Sequence, residues 1–108
     1  MRITPIPKFR CLGVANFDKL EDAGNAISDI ISGGSQPSML ELMDGVGIIA
    51  VNKALNLGLP EVGAIILFEA DGNVKEAVDF EIEKMKNICK KHHGSGIKKS
   101  YDLEERTK

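Results

Sequence analysis

Apolar residues recur at Phe9, Cys11, Leu12, Val14, Ala15 and Phe17, a spacing that predicts a first strand over residues 8–17. Asp18-Lys19-Leu20-Glu21 then has the form of a capping box, in which Asp18 accepts from the first helical amides and Glu21 reaches back. Leu20, Ala23, Ile27, Ile30 and Ile31 follow at helical spacing, and Gly33-Gly34 supplies the helix stop. A second strand is expected over residues 38–43, with Leu40 and Leu42 on one face and Met39, Glu41 and Met43 on the other. Asp44 is placed to cap an inserted helix over residues 45–57, which Gly58 and Pro60 would end. Residues 62–70 are apolar on both faces, as in a central strand covered from both sides. Asp71-Gly72 makes a turn, and Asn73-Val74-Lys75-Glu76 offers a second capping box. The helix it opens carries Val74, Val78, Ile82, Met85 and Cys89 as its stripe and ends near Gly94. A short strand over residues 97–101 and a capped helical start at Asp102 complete the pattern.

The order strand, helix, strand, inserted helix, strand, helix, strand predicts an α+β fold. Its simplest packing is a ferredoxin-like split βαβ sandwich, with an antiparallel sheet, the first and third strands central, and helices mainly on one face. The 108 residues suit one domain, residues 1–108, with a single core. At 43% hydrophobic and 28% charged residues the composition is that of a globular chain. A net charge of −2, with acids and bases interleaved, argues against a nucleic-acid surface. Cys11 and Cys89 stand alone, without CxxC spacing, and fit buried thiols in a reducing compartment. The N-terminus lacks a signal-peptide run and no segment approaches the length of a membrane span, so a cytoplasmic location is expected.

Several words stand in order along the chain: Ile3-Thr4-Pro5-Ile6-Pro7, then Phe17-Asp18-Lys19-Leu20-Glu21-Asp22-Ala23, then Leu40-Glu41-Leu42-Met43-Asp44. Gly58-Leu59-Pro60, Leu67-Phe68-Glu69-Ala70-Asp71-Gly72 and the segment from Tyr101 to Lys108 follow. Together they resemble, nearly end to end, the C-terminal substrate (cap) domain of FAD-linked oxidases. That group contains the glycolate oxidase D subunit and flavin-dependent D-lactate dehydrogenases. The resemblance implies a part of a 2-hydroxy-acid oxidoreductase that closes over the flavin and helps bind a small 2-hydroxy acid. It implies FAD in the parent enzyme and none held by this chain, with an FAD-binding domain, in the same polypeptide or a split subunit, as partner. The family's downstream LWxxR and His-x-Gly-Asp-Gly-Asn words have no counterpart here, so no residue is assigned as catalytic, cofactor-binding or metal-ligating.

Three carboxylates are substrate-cavity candidates. Glu41 and Glu69 lie inside strands, where a buried charge is costly unless paired. Either could face a cavity beneath the sheet, or instead cap a neighbouring element or pair with a lysine; the structural alternative is preferred. Asp44 is better explained as a helix cap than as a substrate contact. His92-His93-Gly94-Ser95-Gly96 invites a metal reading, but adjacent histidines on a helix diverge by about 100° and chelate poorly. The competing function, from another class, is a stand-alone ferredoxin-like ligand-binding or oligomerisation module. Because the third strand is apolar on both sides, an uncovered sheet face is expected to make the isolated chain self-associate, most simply as a homodimer.

Overall fold

The structure is a computed structural model that describes residues 8–56 and 58–101. It contains β1 (Phe9–Phe17), α1 (Leu20–Ser32), β2 (Met39–Asp44), α2 (Gly45–Leu55), β3 (Ala64–Gly72), α3 (Lys75–Lys91) and β4 (Ser95–Tyr101). The expected exit word at Ile3–Pro7 and the helical start at Asp102 lie outside the described residues. The four strands form one antiparallel sheet in the order β2-β3-β1-β4, which makes β1 and β3 central as their patterns require.

Register converts alternation into two unlike faces. Pairing of Ala15 with Ile66 and of Gly13 with Phe68 puts Cys11, Ala15, Phe17, Ala64, Ile66, Phe68 and Ala70 on one side. There they meet Ala23, Ala26 and Ile30 of α1 and Val78, Ile82, Met85 and Cys89 of α3, in one buried cluster. Burial at this scale contributes roughly 1.5–3 kcal/mol for each large side chain, and it is what holds the two helices on this face. The expected helical stripes overreach at their ends. Leu20 and Ile31 are 47% and 64% exposed because they lie on the flank of α1, about 100° round from the buried Ala23, Ala26 and Ile30, and Val74, 56% exposed, precedes the first turn of α3. In α1, small Ala23 and Ala26 allow close approach, and Ile27 packs at the cluster's rim.

Neither capping box forms. The residue before α1 is Lys19, with no side-chain cap, and the backbone carbonyl of Asp18 is pressed against Gly63 instead. Tertiary packing of that turn, rather than local capping, therefore sets where α1 begins. Asn73 likewise does not cap α3; its Oδ1 accepts from the Lys8 amide at 3.2 Å and ties down the approach to β1. Asp44 does cap α2, its Oδ1 accepting from the Gly47 amide at 2.7 Å. Asp44→Ala is therefore expected to cost about 1 kcal/mol, measurable as a lowered urea midpoint with an unchanged slope.

α2 ends earlier than its glycine signal suggests. Asn56 adopts the left-handed conformation (φ 54°) and closes the helix before Gly58. Asn52 then donates to the Leu59 carbonyl and accepts from the Leu59 amide, both at 2.8 Å, which fixes the return toward β3. α2 packs on β2 and β3. Ile48 and Ile65 are fully buried outside the main cluster, so α2 covers one end of the second sheet face. Among the described residues, no helix is long and apolar enough to cross a membrane.

Candidate functional site

The second face, beyond α2, is the part of the molecule without a covering helix. Its rows follow from the register: Arg10, Leu12, Val14 and Asn16 on β1, and Ile65, Leu67, Glu69 and Asp71 on β3. Met39, Glu41 and Met43 come from β2, and Lys98 lies opposite Val14 on β4. Leu12, Val14 and Leu67 are only half-buried, although they occupy the two central strands. An apolar middle row flanked by charged groups thus faces outward.

Glu69 is the best-held carboxylate on that face. Its Oε1 accepts from the Ser38 hydroxyl at 2.8 Å, and its Oε2 lies 3.8 Å from Arg10 Nε. The Ser38 amide also donates to the Glu69 carbonyl at 2.8 Å, so the entry to β2 is fastened to the same residue. These partners satisfy a carboxylate that would otherwise be expensive inside a strand. The expected lysine partner is an arginine, and it comes from β1. Glu41 stands opposite Leu67 and therefore diagonal to Glu69 on the same face, but it is exposed at the sheet edge. Asp44 belongs elsewhere: its register partner is Ala64, on the helical side, and its carboxylate is engaged at the α2 N-terminus. A cleft of about 310 Å³ opens beside it, lined by Leu20, Leu42, Met43, Asp44 and Gly47. The structure thus brings together Glu41 and Glu69, and separates Asp44 from them.

Arg10 and Ser38 were not among the expected site residues. The signal for Arg10 was its parity with Leu12 and Val14, which becomes meaningful only once β1 and β3 are paired. Asn16, on the same face, has a fully enclosed Oδ1 that accepts no hydrogen bond among the described residues.

The histidine pair has a structural use. His92, at the C-terminal cap of α3, places Nε2 2.7 Å from Asp29 Oδ2, and Lys91 Nζ lies 3.4 Å from the same oxygen. His93 takes a positive φ of 72° and points to a shallow cleft with Asp18, Lys19 and Asp22. Among the described residues, no group of three His, Cys, Asp or Glu side chains could hold a metal ion. The glycine-rich turn is no phosphate cradle either. The His93 and Gly94 amides are spent on the Lys90 and Cys89 carbonyls, closing α3.

Away from that face, the hydrogen bond from His92 holds the pKa of Asp29 below its ordinary value, and the hydrogen bond from Lys99 does the same for Glu83. A depressed folded-state value means that each contribution is present above the unfolded value and disappears as pH falls through the folded one. Their ordinary values are 3.8 and 4.5, so the loss sets in near pH 5 and continues as pH falls through the depressed folded values. The Tm of the Asp29→Asn, Glu83→Gln double variant is expected to fall less steeply than that of the parent between pH 5 and about pH 2. Both surface pairs are exposed, so the difference should be small. Burial raises the thiols of Cys11 and Cys89, the latter to about 12, which keeps both as inert core groups.

Comparison with known proteins agrees with this architecture. Residues 6–108 match the family model described as FAD linked oxidases, C-terminal domain. Glycolate oxidase subunit GlcD of Escherichia coli K12 is 33% identical over 109 aligned residues, covering 100% of this chain and 22% of that protein. GlcD of Bacillus subtilis is 28% identical over 97% of the chain, again 22% of that protein. The mitochondrial D-lactate dehydrogenase [cytochrome] of Arabidopsis thaliana is 33% identical over 88% of the chain and 16% of its own length. Among solved structures, an alkyldihydroxyacetonephosphate synthase superposes with a TM-score of 0.64 at 18% identity, over 83% of this chain and 21% of that one. That likeness bears on the fold alone. The chain thus spans about a fifth of the glycolate oxidase subunits it matches, and it belongs to the FAD-linked oxidases, within their C-terminal domain.

Proposed function

We propose that this chain serves as part of the cap of a flavin-dependent 2-hydroxy-acid oxidoreductase, with the face of the sheet opposite α1 and α3 turned toward the flavin and substrate. The observation that supports it most is the outward row Leu12, Val14 and Leu67 on the two central strands, with Arg10 and Glu69 beside it. Central strands ordinarily have both faces covered when both are apolar, so this row is suited to a further layer of protein. A mixed lining, apolar with a few fixed polar groups, is also what a small-molecule site needs. Glu69, fastened by Ser38 and near Arg10, would be a rigid polar element of the cavity and Glu41 would stand at its rim. Asp44 is left to its helix cap.

In this reading FAD resides on a separate FAD-binding domain, in the same polypeptide or a split subunit. The hydride chemistry is the cofactor's, and this chain contributes enclosure and placement. The test assembles the chain with an FAD-binding domain of the same family and follows reduction of an artificial acceptor by glycolate or D-lactate. Leu67→Arg, on the outward face, is expected to lower kcat/KM roughly tenfold or more, since small misplacements at a reacting centre are costly. Phe80→Ala, on the exposed side of α3, is expected to leave it unchanged. Equal activity of both variants, or no 2-hydroxy-acid turnover by the assembled enzyme, would refute the proposal.

A further inference from the structure

The outward face is ordered in rows across its two central strands. Asp71 stands opposite Arg10 in the first row, Glu69 opposite Leu12 in the second, Leu67 opposite Val14 in the third and Ile65 opposite Asn16 in the fourth. Successive rows lie two residues, about 7 Å, apart. Charge is confined to one end and to the rims. Arg10 lies 3.8 Å from Glu69, and Glu41 and Lys98 flank the third row from β2 and β4. The fourth row is closed: Ile65 is 1% exposed, because α2 packs over this end of β2 and β3. Between the polar end and α2, Leu12, Val14 and Leu67 make a short apolar floor that is only half-buried.

Given the role proposed above for the outward face, on which this reading rests, we infer that the floor carries the substituent on C2 of the 2-hydroxy acid. That substituent is a short unbranched hydrocarbon chain rather than a hydrogen or a methyl group. Leu12, Val14 and Leu67 have no hydrogen-bonding side-chain group, so what they reward is apolar surface removed from water. The dimensions suit an alkyl chain. From Leu12 to Leu67 and Val14 is one row spacing, about 7 Å, which a methyl group cannot span. A longer chain runs into α2 beyond the third row, and the gain stops there.

A carboxylate at the far end of the chain fits poorly. It would be set on Leu67 and Val14, where no donor of the floor replaces the water it loses. Glu41 and Lys98, at opposite rims of that row, offset one another and leave no net attraction for an anion. The substrate class is therefore a monocarboxylic 2-hydroxy acid with an apolar side chain. Val14 and Leu67 act as specificity-determining residues, and no proton or hydride passes through them.

The test measures kcat/KM of the assembled enzyme for glycolate and for the D-isomers of lactate, 2-hydroxybutyrate, 2-hydroxypentanoate, 2-hydroxyhexanoate and 2-hydroxyoctanoate. D-2-hydroxyglutarate serves as the dicarboxylic counterpart of 2-hydroxypentanoate. The value is expected to rise roughly 2- to 4-fold for each added methylene, up to about five or six carbons, and then to level. D-2-hydroxyglutarate is expected to fall roughly tenfold or more below 2-hydroxypentanoate. Leu67→Ala, which shortens the floor, is expected to flatten the rise. Val14→Phe, which fills it, is expected to move the optimum to a shorter acid, a shift that loss of folded protein does not produce. Turnover independent of chain length, a preference for the dicarboxylic acid, or an unchanged profile in either variant would overturn the inference and leave the proposed function standing. Absence of turnover with every acid would overturn both.

Discussion

Ile66→Asp is expected to abolish the cooperative thermal transition of this chain, whereas Leu67→Asp, one residue on, is expected to remain folded. Ile66 is fully buried between Ala15 of β1 and Leu42 of β2, under α1 and α3. A carboxylate there has no partner and no water, and an unpaired buried charge costs several kcal/mol, on the order of a small domain's whole stability. Leu67 projects to the other face, half-buried, opposite Val14 and Glu41. An aspartate at that position reaches solvent and loses only an apolar contact, with some repulsion from Glu41. Its cost should be about 1–3 kcal/mol, seen as a lower but still cooperative melt. The apolar run by itself suggests that both substitutions unfold the chain, and only the asymmetry of the two faces separates them. Equal melting of the two variants would contradict that asymmetry.

Gly13 is the second sensitive point. It pairs directly with Phe68, and the aromatic ring lies across it, so that a Cβ built on Gly13 would overlap Cε2 and Cζ and come within 2.9 Å of Cδ2. Phe68 is buried in the main cluster and cannot swing out without opening the core. Gly13→Ala is therefore expected to destabilise by about 1–3 kcal/mol, although alanine has the better intrinsic strand and helix behaviour of the two. The Tm should fall by roughly 5–20 °C for a domain of this size. Gly13→Val should do more harm, despite valine's high strand preference. Phe68→Leu alone loses packing, but in the Gly13→Ala background it should recover part of the loss. A double-mutant cycle then gives a coupling of about 1 kcal/mol or more. Additive effects would mean that the ring does not rest on Gly13.

Local pattern was enough for the elements themselves. Alternation in β1, the two-sided apolar run of β3 and the 3.6-residue stripe of α3 depend only on neighbours in sequence, and each element forms close to where its pattern lies. The central position of β1 and β3 was also legible, because a split βαβ order leaves few packings. The family words were legible for the same reason: they are short runs of contiguous residues, and the family match spans residues 6–108. Asp44 could be read as a cap because a cap acts three residues away, within one turn.

Contacts between distant segments could not be read that way. The two capping boxes had the right residues but lost to tertiary packing, Asp18 to the approach of Gly63 and Asn73 to the Lys8 amide. Glu69 finds Ser38 and Arg10 only through the pairing of three strands, and His92 finds Asp29 across 63 residues. Neighbours along the chain were enough to mark the strands and helices, and contiguous words were enough to place the chain in its family. Which face of the sheet is covered and which carboxylates share it emerged only from strand pairing. Periodicity is written between adjacent residues, whereas register and burial arise only when strands far apart in sequence are brought side by side.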